Sequence, residues 1–271
     1  MEFWDYPTIR VNIHQNMPRF PRRPLREEYD LIKRMFYAES LKSEKSDYEY
    51  SILDSYRKQL DGEYQWELAN RPYYTVYPAI IPLLLRVRMD KVDSTALKLP
   101  IAPLCLRFSK SQRTLLIKET NKGDRSVRSI LAFYSNYQYH GKTLPGVSLF
   151  VDCGETEKSI PILCFQNIPQ KQGMSLEEAF EFLPYDPNAF TNIELAKSLH
   201  DCLRLLCTIC LLDQDESVIE PEVLTADQDK FKATKDRKFI EKAYKRGKVG
   251  WSIGKHIDVV PHVRSASPFA L

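Results

Sequence analysis

A chain of 271 residues with 43% hydrophobic and 28% charged content has enough apolar material to bury a core without metal or disulfide support. That excludes wholesale disorder and a disulfide-stapled miniprotein. The formal net charge of +3 excludes a histone-like polycation and leaves room for a local basic patch.

Six cysteines, three of them (Cys202, Cys207, Cys210) within one apolar run, read as free buried thiols of a reducing compartment. Met1 to Asp5 has no basic character and no apolar run follows it, so no signal peptide is expected. The longest apolar runs, Ala79–Leu85 and Leu203–Leu212, are too short or too interrupted to cross a bilayer. A cytoplasmic protein without a membrane partner is expected.

Four segments follow in order. Residues 1–24 are basic and proline-spaced, with prolines at 18, 21 and 24 that favour an extended arm. Arg19, Arg22 and Arg23 on it either bind phosphates or an acidic partner, or lie solvated across the domain. Residues 25–90 form an N-terminal helical region. Leu25, Tyr29, Ile32 and Phe36 make one apolar stripe over 25–42, and Ile52, Tyr56, Leu60, Tyr64 and Leu68 make another over Tyr48–Leu68. The two predict an antiparallel helical pair. Asn70 to Pro82 reads as a loop, because Pro78 and Pro82 speak against a central strand. Leu83–Met89 is compatible with a short helix or an edge strand.

Residues 91–226 form the expected core. Short apolar runs at Leu104–Phe108, Thr114–Lys118, Ser126–Tyr134, Val147–Val151 and Pro161–Phe165 predict strands joined by hairpin-sized gaps, with Asn136–Gly146 a longer connection. Capping boxes at Ser175–Glu178 and Thr191–Glu194 open two helices, the second reaching about Leu212 and apolar around most of its circumference. Residues 227–271 predict a basic helix and tail. The expected fold is α+β: a mainly antiparallel sheet of about five strands over 99–166, packed by a long buried helix over 191–212, with the helical pair before it and the basic helix and tail after it.

No nucleophile elbow, phosphate loop or metal cluster stands in the sequence, so no cofactor and no metal are expected. His200, Cys202, Cys207 and Cys210 lie on one continuous helix, where His200 and Cys202 diverge from the other two, and read as core side chains. Asp152 reads as a turn-capping aspartate. Tyr134, Tyr137 and Tyr139, near Arg128 and Lys142, read as packing side chains or as a platform for a single strand.

The tail is the sharpest candidate. Lys245, Arg246, Lys248, Lys255 and Arg264 draw phosphates, and Trp251, His256 and His262 interleave aromatic faces among them. The competing reading is a solvated charged helix. His256 and His262 are also the candidates for general acid and base work on a ribose phosphate.

Several stretches, taken in order, resemble the anti-CRISPR family that acts against type V-A effector nucleases, with its relatives from mobile elements and bacterial genomes. They are Leu99–Phe108, Gly146–Cys153, Pro161–Phe165, Ser175–Phe180, Leu195–Leu212 and Gly254–Arg264, with Pro261, His262 and Arg264 matching a basic proline–histidine unit of that family. The resemblance covers about 95–264. The sequence departs from it at Ser265–Leu271, where the family pattern is basic, aromatic and then glycine-rich.

The resemblance implies a non-enzymatic protein of a bacterial host cell. It would recognise a type V-A effector polypeptide and reduce its production. It implies one surface for an extended peptide, at a sheet edge or groove, with Tyr73, Tyr74 and Tyr77 the first candidates, and one for RNA or the ribosome in the basic tail. A nucleic-acid-binding accessory protein of a mobile element, and a ribonuclease using His256 and His262, are the competing readings.

Overall fold

A computed structural model describes residues 2–40, 47–112, 115–118, 124–139, 142–154, 163–181, 193–212, 219–223 and 249–255, together with Thr234 and Lys238. Seven strands form one sheet in the order β7-β6-β5-β2-β1-β9-β8. They are β1 (Tyr73–Val76), β2 (Leu104–Arg107), β5 (Ser129–Tyr139), β6 (Lys142–Asp152), β7 (Leu163–Pro169), β8 (Ile219–Val223) and β9 (Val249–Ile253). β1 runs parallel to both neighbours and the other pairs are antiparallel. β3 (Leu116–Ile117) and β4 (Arg125–Ser126) pair separately. The fold is α+β, as the sequence predicts.

Each face of the sheet is covered by helix. On one face Tyr74, Val76, Leu104, Leu106, Ile130, Ala132, Val147 and Leu149 meet α6 (Ile193–Leu212), whose Cys202, Leu203, Leu206, Cys207 and Ile209 are buried in the same cluster. The long apolar helix thus packs where its all-round hydrophobicity requires. On the other face Cys105, Leu131, Phe133 and Phe150 meet Trp66 of α3 (Asp47–Leu68) and Tyr6. α2 (Leu25–Ser40) pairs with α3 through Tyr29–Tyr64, Lys33–Asp61 and Phe36–Tyr56. Ascending numbers on one helix meet descending numbers on the other, so the pair is antiparallel.

Four expectations are corrected. Residues 1–24 are not extended throughout: Ile9–Asn16 forms a helix, α1, with Thr8 Oγ1 accepting from the Val11 N–H at 3.2 Å, and the prolines follow its end. Tyr73–Val76 is an interior strand, paired on both edges. Pro78 and Pro82 come after it, at the first positions of short helical turns (78–80 and α4, Ile81–Leu84), where a missing N–H costs nothing. Asn136–Gly146 is no open connection, because β5 and β6 pair through Asn136↔Pro145 to Tyr139↔Lys142. The tail begins inside the sheet, with β9 between β1 and β8.

Glycine is required where β9 passes β1. A Cβ on Gly250 would lie 2.1 Å from Cε2 of the Tyr73 ring. Gly250→Ala is therefore expected to destabilise by about 1–3 kcal/mol, read as a lowered urea midpoint with an unchanged slope.

Candidate functional site

β5 is paired along its whole length on the β6 side, but with β2 only over Ser129–Ala132. The register with β2 ends at the pair Leu104↔Ala132, and Pro103 stands just before it, where the chain enters β2. Beyond that point one edge of β5 has no partner strand among the described residues.

Two contacts fix which main-chain groups face this open edge. Phe108 donates its N–H to the Arg128 carbonyl at 3.1 Å, so the even-numbered residues of β5 turn their main chain towards β2. Further along, Pro145 faces Asn136, and its carbonyl accepts from the Gln170 N–H at 2.9 Å on the β7 side. Asn136 therefore turns away from β6 as well. The alternation leaves the N–H and C=O of Tyr134 and Asn136 pointing out of the sheet. The Tyr134 hydroxyl is engaged separately, accepting from the Leu99 N–H at 2.8 Å.

Opposite this edge stands α3. Between them runs an open groove of about 460 Å³, with Arg57, Lys58, Asp61 and Gln65 on the helical wall and Tyr134 and Asn136 on the strand side. Gly62 sets the width. A Cβ there would fall 2.3 Å from Cε1 of Phe133, so only glycine lets the helix come this close. Phe133 in turn stacks on Phe150, with ring centroids 5.8 Å apart.

The far side of α3 is fixed by buried carboxylates. Glu63 accepts from the Ile9 N–H at 2.7 Å, from Gln59 Nε2 at 2.7 Å and from the Tyr6 hydroxyl at 3.2 Å. Burial pushes its carboxyl up to about 8, against the lowering effect of those three donors. Glu67 accepts from Arg10 Nε at 3.1 Å and Arg10 Nη2 at 2.7 Å, and Arg71 adds a third contact at 2.9 Å. Burial alone would raise the Glu67 carboxyl, yet the two guanidiniums hold it below its ordinary value. Arg10 also reaches Glu28, which binds His14 on its other oxygen. The groove's helical wall is thus tied to the N-terminal segment by a network of charge-assisted bonds.

The predicted site residues fall out as follows. Both edges of β1 are paired, so Tyr73 and Tyr74 have no main-chain edge to offer a peptide. Arg107 covers the Tyr73 ring at 3.5 Å, Tyr74 is buried against Trp251 in a stack of 5.0 Å, and Tyr77 meets Phe3 edge-on at 5.3 Å. Trp251 is half-buried with one face taken by Tyr74, and Lys255 is exposed just after β9. Lys245, Arg246, Lys248, His256, His262 and Arg264 lie outside the described residues, as does the predicted helix over 227–246 apart from Thr234 and Lys238.

Asp152 accepts from the Gly154 N–H at 2.9 Å, the turn-capping role read from the sequence. Cys202 and Cys207 are buried thiols outside any disulfide, and burial pushes the Cys207 thiol well up. No helix among the described residues is long and apolar enough to cross a membrane.

No family model and no curated protein matches the chain. Among solved structures it is similar to the crystal structure of AcrVA2, at 16% identity and a TM-score of 0.49, over 91% of this chain and 76% of that one.

Proposed function

We propose that the chain is a non-enzymatic binding protein of the anti-CRISPR type, which captures an extended segment of a type V-A effector polypeptide along the open β5 edge and lowers the amount of effector made. The observation that carries the reading is that edge, lying beside a groove walled by α3. An extended peptide laid there adds a strand to the sheet. Tyr134 and Asn136 supply main-chain donors and acceptors, and alternate peptide side chains enter the groove. Arg57, Lys58 and Gln65 line the helical wall beside the edge, and Asp61 there is engaged by Lys33. The choice of effector is supported by the sequence stretches that resemble the type V-A anti-CRISPR family.

The test tiles a type V-A effector polypeptide into overlapping labelled peptides and measures their binding by fluorescence anisotropy. A small set of adjacent tiles should bind. Asn136→Pro should weaken them at least about tenfold, or about 1.4 kcal/mol, because it removes an N–H that faces the open edge and leaves the β6 ladder whole. Asn136→Ala should bind as the wild type does, since only the main chain is used. In cells, the wild type should lower effector protein and relieve interference, and Asn136→Pro should do neither. Absence of any binding tile, together with unchanged effector level, sinks the reading.

A further inference from the structure

The segment joining α1 to α2 carries a charge pattern that neither the fold nor the peptide edge uses. Arg19, Arg22, Arg23 and Arg26 are all exposed, and residues 19–26 contain no acid. None of the four makes an ion pair, hydrogen bond or ring contact among the described residues. Arginines nearby behave differently. Arg10 and Arg71 are tied to carboxylates, and Arg107 and Arg128 lie on the rings of Tyr73 and Trp4.

The segment is nevertheless held in place. Phe20 is buried in the cluster of Ile9, Tyr29, Ile32 and Leu60, edge-on to His14 at 5.5 Å, and its N–H is donated to the Met17 carbonyl at 2.8 Å. Pro18, Pro21 and Pro24 fix φ on either side of that anchor. Four guanidiniums are therefore presented from a stiff strap, and binding a ligand there costs little further main-chain entropy.

Stability does not explain the arrangement. Arg22, Arg23 and Arg26 crowd the positive end of α2, where acids are favoured. Of the two acids in that first turn, Glu28 is turned inward to Arg10 and His14, leaving Glu27 and, a turn on, Asp30 as the exposed counter-charges. A face that is merely solvated normally mixes signs.

We infer that this strap binds the phosphate backbone of nucleic acid. Guanidiniums recognise phosphate oxygens in pairs. The strap's aromatic side chain, Phe20, faces the core, so nothing there stacks on a base or anchors a protein partner. Binding is accordingly independent of sequence and steeply dependent on salt.

The experiment titrates the full chain into labelled single-stranded RNA, DNA of the same sequence and a scrambled RNA, with labelled polyglutamate as the acidic-peptide control. The variant carries Arg19→Gln, Arg22→Gln, Arg23→Gln and Arg26→Gln. Its unfolding midpoint should match or slightly exceed that of the wild type, because the four guanidiniums make no ion pair, hydrogen bond or ring contact among the described residues and positive charge at the start of α2 is unfavourable. Oligonucleotide affinity should fall about tenfold or more at low salt, and the slope of log K against log salt should flatten by up to about 3, at about 0.7 per lost phosphate contact. Scrambled and original RNA should bind alike. Asn136→Pro should bind oligonucleotide normally, which separates this surface from the peptide edge. Lack of oligonucleotide binding by the wild type, unaltered affinity and slope in the fourfold variant, or polyglutamate binding as tightly as RNA each overturns the inference.

Discussion

Arg10→Ala is expected to destabilise the protein by about 3–5 kcal/mol, because it strands buried charge. Arg10 bridges two carboxylates, Glu67 and Glu28, whose side chains are only 5% and 3% exposed. With the guanidinium gone, Glu67 keeps Arg71 and Glu28 keeps His14, but each loses a charge-assisted bond and water cannot replace it. Arg10→Lys should recover only part of the loss, since a single ammonium cannot match the paired contacts of Nε and Nη2 to the two Glu67 oxygens.

The acid side of the stability profile should change too. The Glu67 carboxyl is held low in the folded state, so its contribution is present above the unfolded value near 4.5 and is lost as pH falls through the folded one. Urea unfolding at pH 7 and at pH 3 measures this. The gap between wild type and Arg10→Ala should narrow at pH 3, and an equal gap at both pH values would contradict the assignment. The same variant should loosen α3, the wall of the peptide groove, and so weaken peptide binding indirectly.

Much of the architecture is legible in the amino-acid sequence. The stripes of α2 and α3, the apolar run of α6 and the capping box at Ser175, whose Oγ accepts from the Glu178 N–H at 3.2 Å, are local patterns, and local patterns survive folding. What escaped was non-local. β1 is four residues long, and its partners lie at Leu104–Arg107 and at Val249–Ile253, so nothing beside it in sequence announces a strand. Pro78 speaks against a strand in the sequence, yet it stands just beyond the strand end, at the first position of the next helical turn. The residues over Asn136–Gly146 likewise read as a longer connection, because strand pairing there depends on the neighbour. In the fold Pro145 turns towards β7 beyond the last pair of that ladder, where no N–H is needed.

The peptide edge was legible least of all. An unpaired strand edge is a property of strand order and of where a neighbour stops, and Pro103 marks that stop only once β2 is known to lie beside β5. The arginine strap was the reverse case. Its charge and prolines stood in the sequence, but the structure was needed to show that Phe20 anchors it and that its four arginines are all exposed.

Glu63→Gln is expected to remove most of the stability loss that the wild type shows between pH 4.5 and 8. Glu63 is fully buried, and its carboxyl is pushed up to about 8. Between the unfolded value near 4.5 and that folded one, the native state retains a proton that the unfolded chain has released. Stability then falls with rising pH by about 1.4 kcal/mol per unit, roughly 5 kcal/mol over the whole window, and levels off above it. The favourable term is complete below pH 4.5 and absent above pH 8. Glutamine keeps the shape and never ionises. One of its ends accepts from the Ile9 N–H, while the other donates to the Tyr6 hydroxyl or to a reoriented Gln59 amide. Urea midpoints at successive pH values should therefore fall for the wild type and stay level for Glu63→Gln, with the variant the more stable protein at pH 8. Glu63→Ala should instead be unstable throughout, because the Ile9 N–H and the Tyr6 hydroxyl would lose their acceptor and Gln59 would keep only its 3.3 Å bond to the Tyr6 hydroxyl. Parallel pH profiles for wild type and Glu63→Gln would mean that Glu63 is ionised in the native state, and that its three donors outweigh burial.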